Sequence, residues 1–251
     1  MNLENKTVLI TGGASGIGLA LAEALVDRGN RVVVCGRDRE RLRQAEKLLP
    51  SITTMSCDLT APADLSGLYR QLESRFPELD LLFNNAGIQT AMDFRGGVVD
   101  ESLIDRELRT NLTAHIDVTN RLYPLLSARP ESAIVFIGSV LGQVPKFSAP
   151  VYSAAKAGLH CYAQCLRAQL AATPTRVVEV IPDLVDTAMT GDRVNARKIR
   201  PDQLAREVME GLVRDREQIM IGRTGLLLGI NRLSPELAHS LVNGRRPKKT
   251  A

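Results

Sequence analysis

Tryptophan is absent from this 251-residue chain, and aromatic residues make up only 4% of it. Surfaces that bind single-stranded nucleic acid usually combine cations with stacking aromatic side chains. The sequence has no basic stretch interleaved with aromatics, and its net charge is only +4. The composition therefore argues against a nucleic-acid partner.

Cysteine and histidine are also scarce, at four and three residues. Cys35 and Cys57 fall in apolar, strand-like stretches, whereas Cys161 and Cys165 are one helical turn apart. Neither the cysteines nor the histidines have the spacing of a metal site or a disulfide framework. We expect no metal and four buried, reduced thiols, as is usual in a reducing compartment.

Long apolar runs are missing as well. No stretch approaches the roughly 18 apolar residues of a membrane-spanning helix, and residues 1–7 contain no apolar signal core. We therefore expect a cytoplasmic location. The apolar fraction of 44% and the charged fraction of 24% are typical of a globular protein, and we expect one domain over residues 1–251.

Short apolar stretches alternate with amphipathic ones along most of the chain. The strand-like stretches cover residues 8–10, 32–35, 52–57, 79–83, 133–137, 176–181 and 218–221. Strands that are apolar throughout and separated by helices indicate a parallel sheet with both faces covered. With right-handed crossovers, the pattern predicts an α/β fold, a doubly wound Rossmann-type sheet of about seven strands with helices on both faces. Its core spans about residues 5–222, with one long helix over about 101–123.

A glycine-rich turn follows the first strand and opens the first predicted helix. It comprises Thr11, Gly12, Gly13, Ala14, Ser15, Gly16, Ile17 and Gly18. Glycines let the backbone approach a pyrophosphate, whose charge is stabilised by the N-terminus of the helix. A tight turn without a ligand would use the same residue types. The position at the first strand of a βαβ unit favours dinucleotide binding.

Further motifs follow this turn in order. They are Asp58-Leu59, Asn84-Asn85-Ala86-Gly87, Thr110-Asn111-Leu112, Ser139 at the end of the fifth strand, and Tyr152-x-x-x-Lys156, thirteen residues after that serine. Together with the G-x-x-x-G-x-G spacing, they resemble the short-chain dehydrogenase/reductase family over about residues 5–190. The resemblance implies an NAD(P)-dependent oxidoreductase acting on a carbonyl or secondary alcohol.

The same resemblance implies which residues form the site. The catalytic residues would be Asn111, Ser139, Tyr152 and Lys156. The cofactor contacts would come from Gly12, Ser15, Gly16, Ile17, Gly18, Arg37, Asp58, Leu59, Asn85, Ala86, Gly87, Tyr152, Lys156, Pro182, Val185 and Thr187. Asp183 stands where the family has a glycine, and aspartate adopts left-handed backbone conformations less readily than glycine.

Tyr152 and Lys156 are four residues apart, so they share one face of a helix. A free phenol has a pKa near 10, and a nearby ammonium group lowers that pKa enough for acid/base catalysis at neutral pH. Ser139 would hydrogen-bond the substrate oxygen. By resemblance, Lys156 would also hold the nicotinamide ribose and Asn111 would anchor a water molecule. A tyrosine and a lysine at this spacing also occur by chance, so their order with Asn111 and the glycine turn carries the interpretation.

The second strand ends at Gly36-Arg37, without the acid that commonly binds the 2′-hydroxyl of NAD. A guanidinium group suits a 2′-phosphate. We therefore expect NADP(H) in preference to NAD(H), although Asp38 follows directly and Arg37 could instead stack on adenine.

The segments around the tyrosine motif bear on the substrate. Leu141, Gln143, Val144, Phe147 and Val151 would either line a moderately apolar pocket for a small carbonyl or alcohol substrate or belong to the core. Residues 187–200 would form a short lid.

The C-terminal segment, residues 223–251, combines an apolar face with a basic tail at 245–249. The face would pack on the body or on a second subunit, or it would attach to a membrane surface. Small residues on the tyrosine-bearing helix suit helix pairing, and together with the habit of relatives they predict a homodimer or homotetramer. They are Ala154, Ala157, Cys161 and Ala168.

Two other functions compete with the oxidoreductase. A dinucleotide-binding sensor or scaffold would keep the fold without turnover, and the intact set of four catalytic residues argues against it. An enoyl reductase would ordinarily need a different spacing between tyrosine and lysine.

Overall fold

The computed structural model describes residues 1–191 and 197–244. Seven parallel strands form one sheet in the order β3-β2-β1-β4-β5-β6-β7. They are β1 (Thr7–Thr11), β2 (Arg31–Gly36), β3 (Thr53–Ser56), β4 (Leu79–Asn84), β5 (Ser132–Ile137), β6 (Thr175–Ile181) and β7 (Gln218–Met220). This order confirms the predicted doubly wound sheet, and its winding reverses between β1 and β4.

Helices cover both faces of this sheet. They are α1 (Gly16–Val26), α2 (Arg39–Leu48), α3 (Pro62–Arg75), α4 (Glu101–Leu108), α5 (Ala114–Ser127), α6 (Pro150–Leu170), α7 (Pro201–Val213), α8 (Thr224–Leu233) and α9 (Pro235–Asn243). Successive strand residues point to opposite faces. Val8 of β1 therefore packs in one buried cluster with α1 and α7, whereas Leu9 packs in the other with α3, α5 and α6.

The long helix predicted over about 101–123 is interrupted. A π-helical turn at Arg109–Thr113 separates α4 from α5. Such a turn inserts an extra residue and often marks a functional position. Here it contains Asn111, which is fully buried. Apolar periodicity does not reveal a single inserted residue, because the pattern on either side stays helical.

The C-terminal helices pack over the loop that follows β5. A small buried cluster joins Val140 and Val144 of that loop to Leu228 of α8 and Ala238 of α9. Leu226 and Leu233 of α8 and Leu237 and Leu241 of α9 are exposed. The predicted apolar face is therefore covered only in part, and the basic tail at 245–249 lies outside the described residues. Within those residues, no helix is long and apolar enough to cross a membrane.

The expectation of four buried thiols was wrong for two of them. Cys35 and Cys57 are buried, but Cys161 and Cys165 are exposed on α6. Both exposed cysteines lie on the outer face of a helix whose inner face carries Leu159. Cysteine occurs in either environment, so the sequence alone did not distinguish them.

Candidate active site

A cavity of about 870 Å³ opens where β1, β4, β5 and β6 end. This edge of a doubly wound sheet is where ligands bind. Thirteen of the residues proposed from the sequence line it: Gly12, Ser15, Gly16, Ile17, Asn85, Ala86, Gly87, Ser139, Tyr152, Lys156, Pro182, Val185 and Thr187. The fold thus brings residues that are up to 175 positions apart to one cleft.

The glycine turn contains two positions where a side chain would collide with neighbouring backbone. A Cβ on Gly12, whose φ is +64°, would lie 2.9 Å from the Cα of Ala86. A Cβ on Gly18 would lie 2.4 Å from the carbonyl oxygen of Gly12. Ser15 precedes α1 without a side-chain capping bond, so the first N–H groups of the helix are available to an anion. The residues present therefore fit a pyrophosphate.

Asn85 ties the two turns at the reversal point together. Its side-chain amide donates to the carbonyl oxygens of Thr11 (2.9 Å) and Gly12 (3.1 Å). The hydroxyl of Thr11 accepts from the backbone N–H of Asn85 at 2.9 Å and of Ala86 at 3.1 Å. These hydrogen bonds hold the loop after β4 against the end of β1 and so form the floor of the cleft.

Tyr152 and Lys156 face this cleft from α6, which begins at Pro150. The ammonium of Lys156 lies 5.8 Å from the centre of the Tyr152 ring and donates to the carbonyl oxygen of Ile137 at 2.7 Å. Burial lowers the pKa of Lys156 to about 8, and the charge of Glu179 opposes this shift. Ser139 joins the same cavity from the end of β5, where its Oγ accepts from the N–H of Leu141 at 3.1 Å.

Asn111 sits behind this cleft. Its Oδ1 accepts from the N–H of Ile88 at 2.9 Å, and its Nδ2 donates to the Ile88 carbonyl at 2.8 Å. It is not part of the cavity lining, and neither is Gly18, whose role here is close packing of the turn.

Arg37, Asp58 and Leu59 also lie outside the cavity lining, where β2 and β3 end. Arg37 is exposed, and Thr60 donates to Asp58 from its N–H (2.9 Å) and its hydroxyl (2.7 Å). Burial raises the pKa of Asp58, but the Thr60 bonds and the nearby Arg37 charge bring it below the ordinary value. The interaction with Asp58 places the Arg37 charge at this edge.

Sequence reasoning missed Arg41, which lines the cavity together with Ser15. The sequence reasoning noted Asp38 only as a neighbour of Arg37, and its carboxylate caps the helix that follows. The Oδ1 of Asp38 accepts from the N–H groups of Glu40 (3.0 Å) and Arg41 (3.1 Å), which caps α2. Its Oδ2 lies 3.3 Å from Nε of Arg41. The D-x-x-R spacing after β2 was the available signal for this cap.

Glu179 was missed as well. It is a buried carboxylate on β6, and it contacts His160 of α6 at 2.7 Å. The signal was a single acidic residue inside an otherwise apolar strand stretch.

The other side of the cavity is mainly apolar. Its wall is formed by Leu141, Met189, Leu226, Leu227, Ile230, Leu241 and Val242. Leu141 is thus the one residue of the five flanking candidates on this wall. Val144 belongs to the core, and Phe147 lines a separate, shallower depression. Of the predicted lid, residues 192–196 lie outside the described part of the chain.

Asp183 keeps the cavity edge intact despite replacing a glycine. The described non-glycine residues with positive φ are Asn5 and Asp215, so Asp183 adopts an ordinary backbone conformation. Its Oδ1 accepts from the N–H of Leu184 at 2.8 Å, and its Oδ2 lies 3.5 Å from Nε of Arg223.

Comparison with known proteins agrees with this architecture. The short chain dehydrogenase family model matches residues 6–198. The uncharacterized oxidoreductase DltE of Bacillus subtilis (strain 168) is 37% identical over 224 residues, which covers 87% of this chain and 89% of DltE.

Two solved structures share the fold. A short-chain dehydrogenase from Sphingobium yanoikuyae in complex with NADPH is 28% identical, with a TM-score of 0.79 and coverage of 98% of both chains. A short-chain dehydrogenase/reductase from Burkholderia phymatum in complex with NAD is 20% identical, with a TM-score of 0.85 and coverage of 98% of this chain and 99% of that one. Because the family model matches most of the chain and DltE is 37% identical, this chain belongs to the short chain dehydrogenase family.

Proposed function

We propose that this protein reduces a carbonyl compound to an alcohol, and catalyses the reverse reaction, with a nicotinamide dinucleotide bound along the glycine turn. The observation that carries the proposal is the convergence of Ser139, Tyr152 and Lys156 on the cavity that the glycine turn closes. The solved relatives described above hold NADPH or NAD, which supports a nicotinamide dinucleotide here. Such a cofactor supplies or accepts the hydride when it is bound.

The chain's own residues then divide the remaining work. Tyr152 donates a proton to the carbonyl oxygen in reduction and removes the alcohol proton in oxidation. The hydroxyl of Ser139 hydrogen-bonds the same oxygen and stabilises charge that develops on it. The Lys156 ammonium favours the ionised form of the neighbouring phenol. Asn111 holds the chain after β4 in place through its two hydrogen bonds to Ile88. By analogy with the family, it would also position a water molecule.

A spectrophotometric screen tests this function. Aldehydes, ketones and 3-oxo esters are offered with NADPH and, separately, with NADH, and the loss of absorbance of the reduced cofactor is followed. We expect turnover of at least one carbonyl class, with the alcohol identified by mass spectrometry. Tight cofactor binding without turnover of any compound would instead favour the sensor or scaffold.

The apolar wall leads to a prediction about chain length. Each buried methylene contributes about 0.8 kcal/mol, so kcat/KM should rise about threefold to fourfold per CH₂ along a series of methyl ketones. Leu227→Asn should flatten this rise, because it places an amide on the wall. The matched control is Leu233→Asn on the same helix, at a side chain that is 90% exposed. A flat series in the wild type, or equal effects of both substitutions, would contradict an apolar substrate.

Three inferences about cellular setting remain predictions from the sequence: a cytoplasmic location, a homodimer or homotetramer, and the absence of nucleic-acid partners. The face that would pair carries Ala154, Cys161 and Ala168, all exposed on α6.

A further inference from the structure

Glu179 is a buried acid on β6, a strand that has a neighbouring strand on each side. It lies on β6 opposite Phe136 of β5, and its side chain is only 2% exposed. A buried carboxylate without partners is strongly unfavourable. We therefore expect the Glu179 carboxylate to have polar partners, and these partners lie next to residues of the cavity.

One carboxylate oxygen of Glu179 is held from two sides. Its Oε2 lies 2.7 Å from Nδ1 of His160 and 3.4 Å from Nε2 of Gln218 on β7. The other ring nitrogen of His160 lies 2.8 Å from Nε2 of Gln164. His160 is one helical turn beyond Lys156, so it lies on the same face of α6 as Tyr152 and Lys156.

The other oxygen, Oε1, reaches the segment that carries Ser139. A Cβ on Gly138 would lie only 2.8 Å from this oxygen, so the carboxylate packs directly against the backbone at position 138. Gly138 stands between Ile137, whose carbonyl accepts from Lys156, and Ser139. Glu179 thus packs against the backbone that connects Ile137, which accepts the Lys156 hydrogen bond, to Ser139.

We propose that Glu179, fixed by His160, is a positioning residue that keeps the side chain of Lys156 charged beside Tyr152. Lys156 is buried, and its one hydrogen-bond acceptor in the described structure is a neutral carbonyl. The Glu179 carboxylate, packed against Gly138 next to the Ile137 carbonyl, supplies the negative charge that a buried ammonium lacks. The consequence for catalysis rests on the proposed function, but the charge state of Lys156 does not.

Two other ionisable groups lie near Lys156. Its Nζ is 5.8 Å from the centre of the Tyr152 ring on the same helix, and its charge acts on His115 of α5. Burial and the charge of Lys156 lower the pKa of His115 to about 3, so this histidine is neutral at physiological pH. Glu179 is the carboxylate among these groups, and its charge opposes the desolvation of Lys156.

The test is an NMR titration of the lysine ¹³Cε signals in the cofactor-free protein, with Lys156→Arg to assign the signal. In the wild type we expect Lys156 to titrate at about pH 8. In Glu179→Gln, which keeps the shape and a hydrogen-bond acceptor, the midpoint should fall by about one pH unit. Glu179→Asp, which keeps the charge, should stay close to the wild type.

Glu107→Gln is the matched control, because Glu107 is also a fully buried carboxylate but accepts from the N–H of Thr90 at 2.8 Å. It should leave the midpoint of Lys156 unchanged. Equal midpoints in Glu179→Gln and the wild type would overturn the proposal. So would a wild-type midpoint of about 5 to 6, typical of a buried lysine without an anion; that measurement needs no variant to fold.

Turnover provides a second measurement and keeps two failures apart. The pH at which kcat/KM for alcohol oxidation rises to half should move upward in Glu179→Gln, because a Lys156 that has lost its proton no longer favours the Tyr152 phenolate that removes the alcohol proton. A merely structural role would lower the thermal midpoint of unfolding without moving this pH. If Tyr152→Phe retained full activity while the lysine midpoint still shifted, the proposed function would fail and the role of Glu179 would stand.

Discussion

Replacing Tyr152 with phenylalanine should lower kcat for carbonyl reduction by at least about a thousandfold, near the upper part of what a positioned acid contributes. The substitution removes only the hydroxyl, so the ring should still pack near Lys156. Cofactor affinity, measured by fluorescence of bound NADPH, should change by less than about threefold. The loss should therefore appear in kcat rather than in cofactor binding.

Tyr162→Phe is the matched control for this substitution. Tyr162 is on the same helix, but its ring packs edge-on against Phe136 at 5.7 Å and is not part of the cavity lining. It should retain nearly normal activity. A Tyr152→Phe enzyme within about tenfold of the wild type would show that another group supplies the proton.

The second large effect concerns the choice of dinucleotide. Arg37→Ala should raise KM for NADPH by about tenfold to a hundredfold, the range expected for lost charge-assisted bonds to a phosphate. KM for NADH should change by less than about threefold, because that cofactor has no 2′-phosphate. Arg41→Ala should act in the same direction, since Arg41 and Ser15 both line the cavity.

Arg39→Ala provides the control for both arginine substitutions. Arg39 begins the same helix, and its Nε donates to the hydroxyl of Ser56 at 3.4 Å, away from the cavity. Arg39→Ala should change KM for NADPH and KM for NADH by similar, small factors. Equal losses with NADPH and NADH in Arg37→Ala would remove the preference for NADP(H). The engagement of Asp38 in capping α2 supports that preference, because this carboxylate is already bonded within its own helix.

The sheet was predictable because its signals are local. Uniformly apolar strands such as Val32–Cys35, with helices between them, leave little choice other than a covered parallel sheet. The glycine turn was predictable for a related reason, since few sequences satisfy the close approach of Gly12 to Ala86. The ordered motifs then indicated which side chains would meet.

What the sequence could not provide depends on contacts between distant elements. The π-turn at Asn111 is one inserted residue in a pattern that is helical on both sides. The exposure of Cys161 depends on which face of α6 meets the sheet. Glu179 on β6 pairs with His160 on α6, 19 positions earlier, and no local sequence pattern predicts this contact.

The position of the cofactor-side residues shows a similar division. The cavity contains the glycine turn and the Tyr152–Lys156 pair as expected, but Arg41 replaces Arg37 on its wall. Residue spacing pointed to Arg37 at the end of β2, whereas the direction of each following side chain depends on the start of α2 at Arg39. Side-chain direction is a property of the helix, which motif spacing does not encode.

Isotope tracing tests the central claim most directly. NADPH stereospecifically deuterated at C4 of the nicotinamide is given to the wild-type enzyme with a ketone from the screen, and the alcohol is examined by mass spectrometry. Hydride transfer in this cleft requires that one of the two C4 stereoisomers deliver deuterium to the carbinol carbon, with the signal lost in Tyr152→Phe at equal enzyme and time. Alcohol that contains only solvent hydrogen at that carbon with both stereoisomers would contradict it.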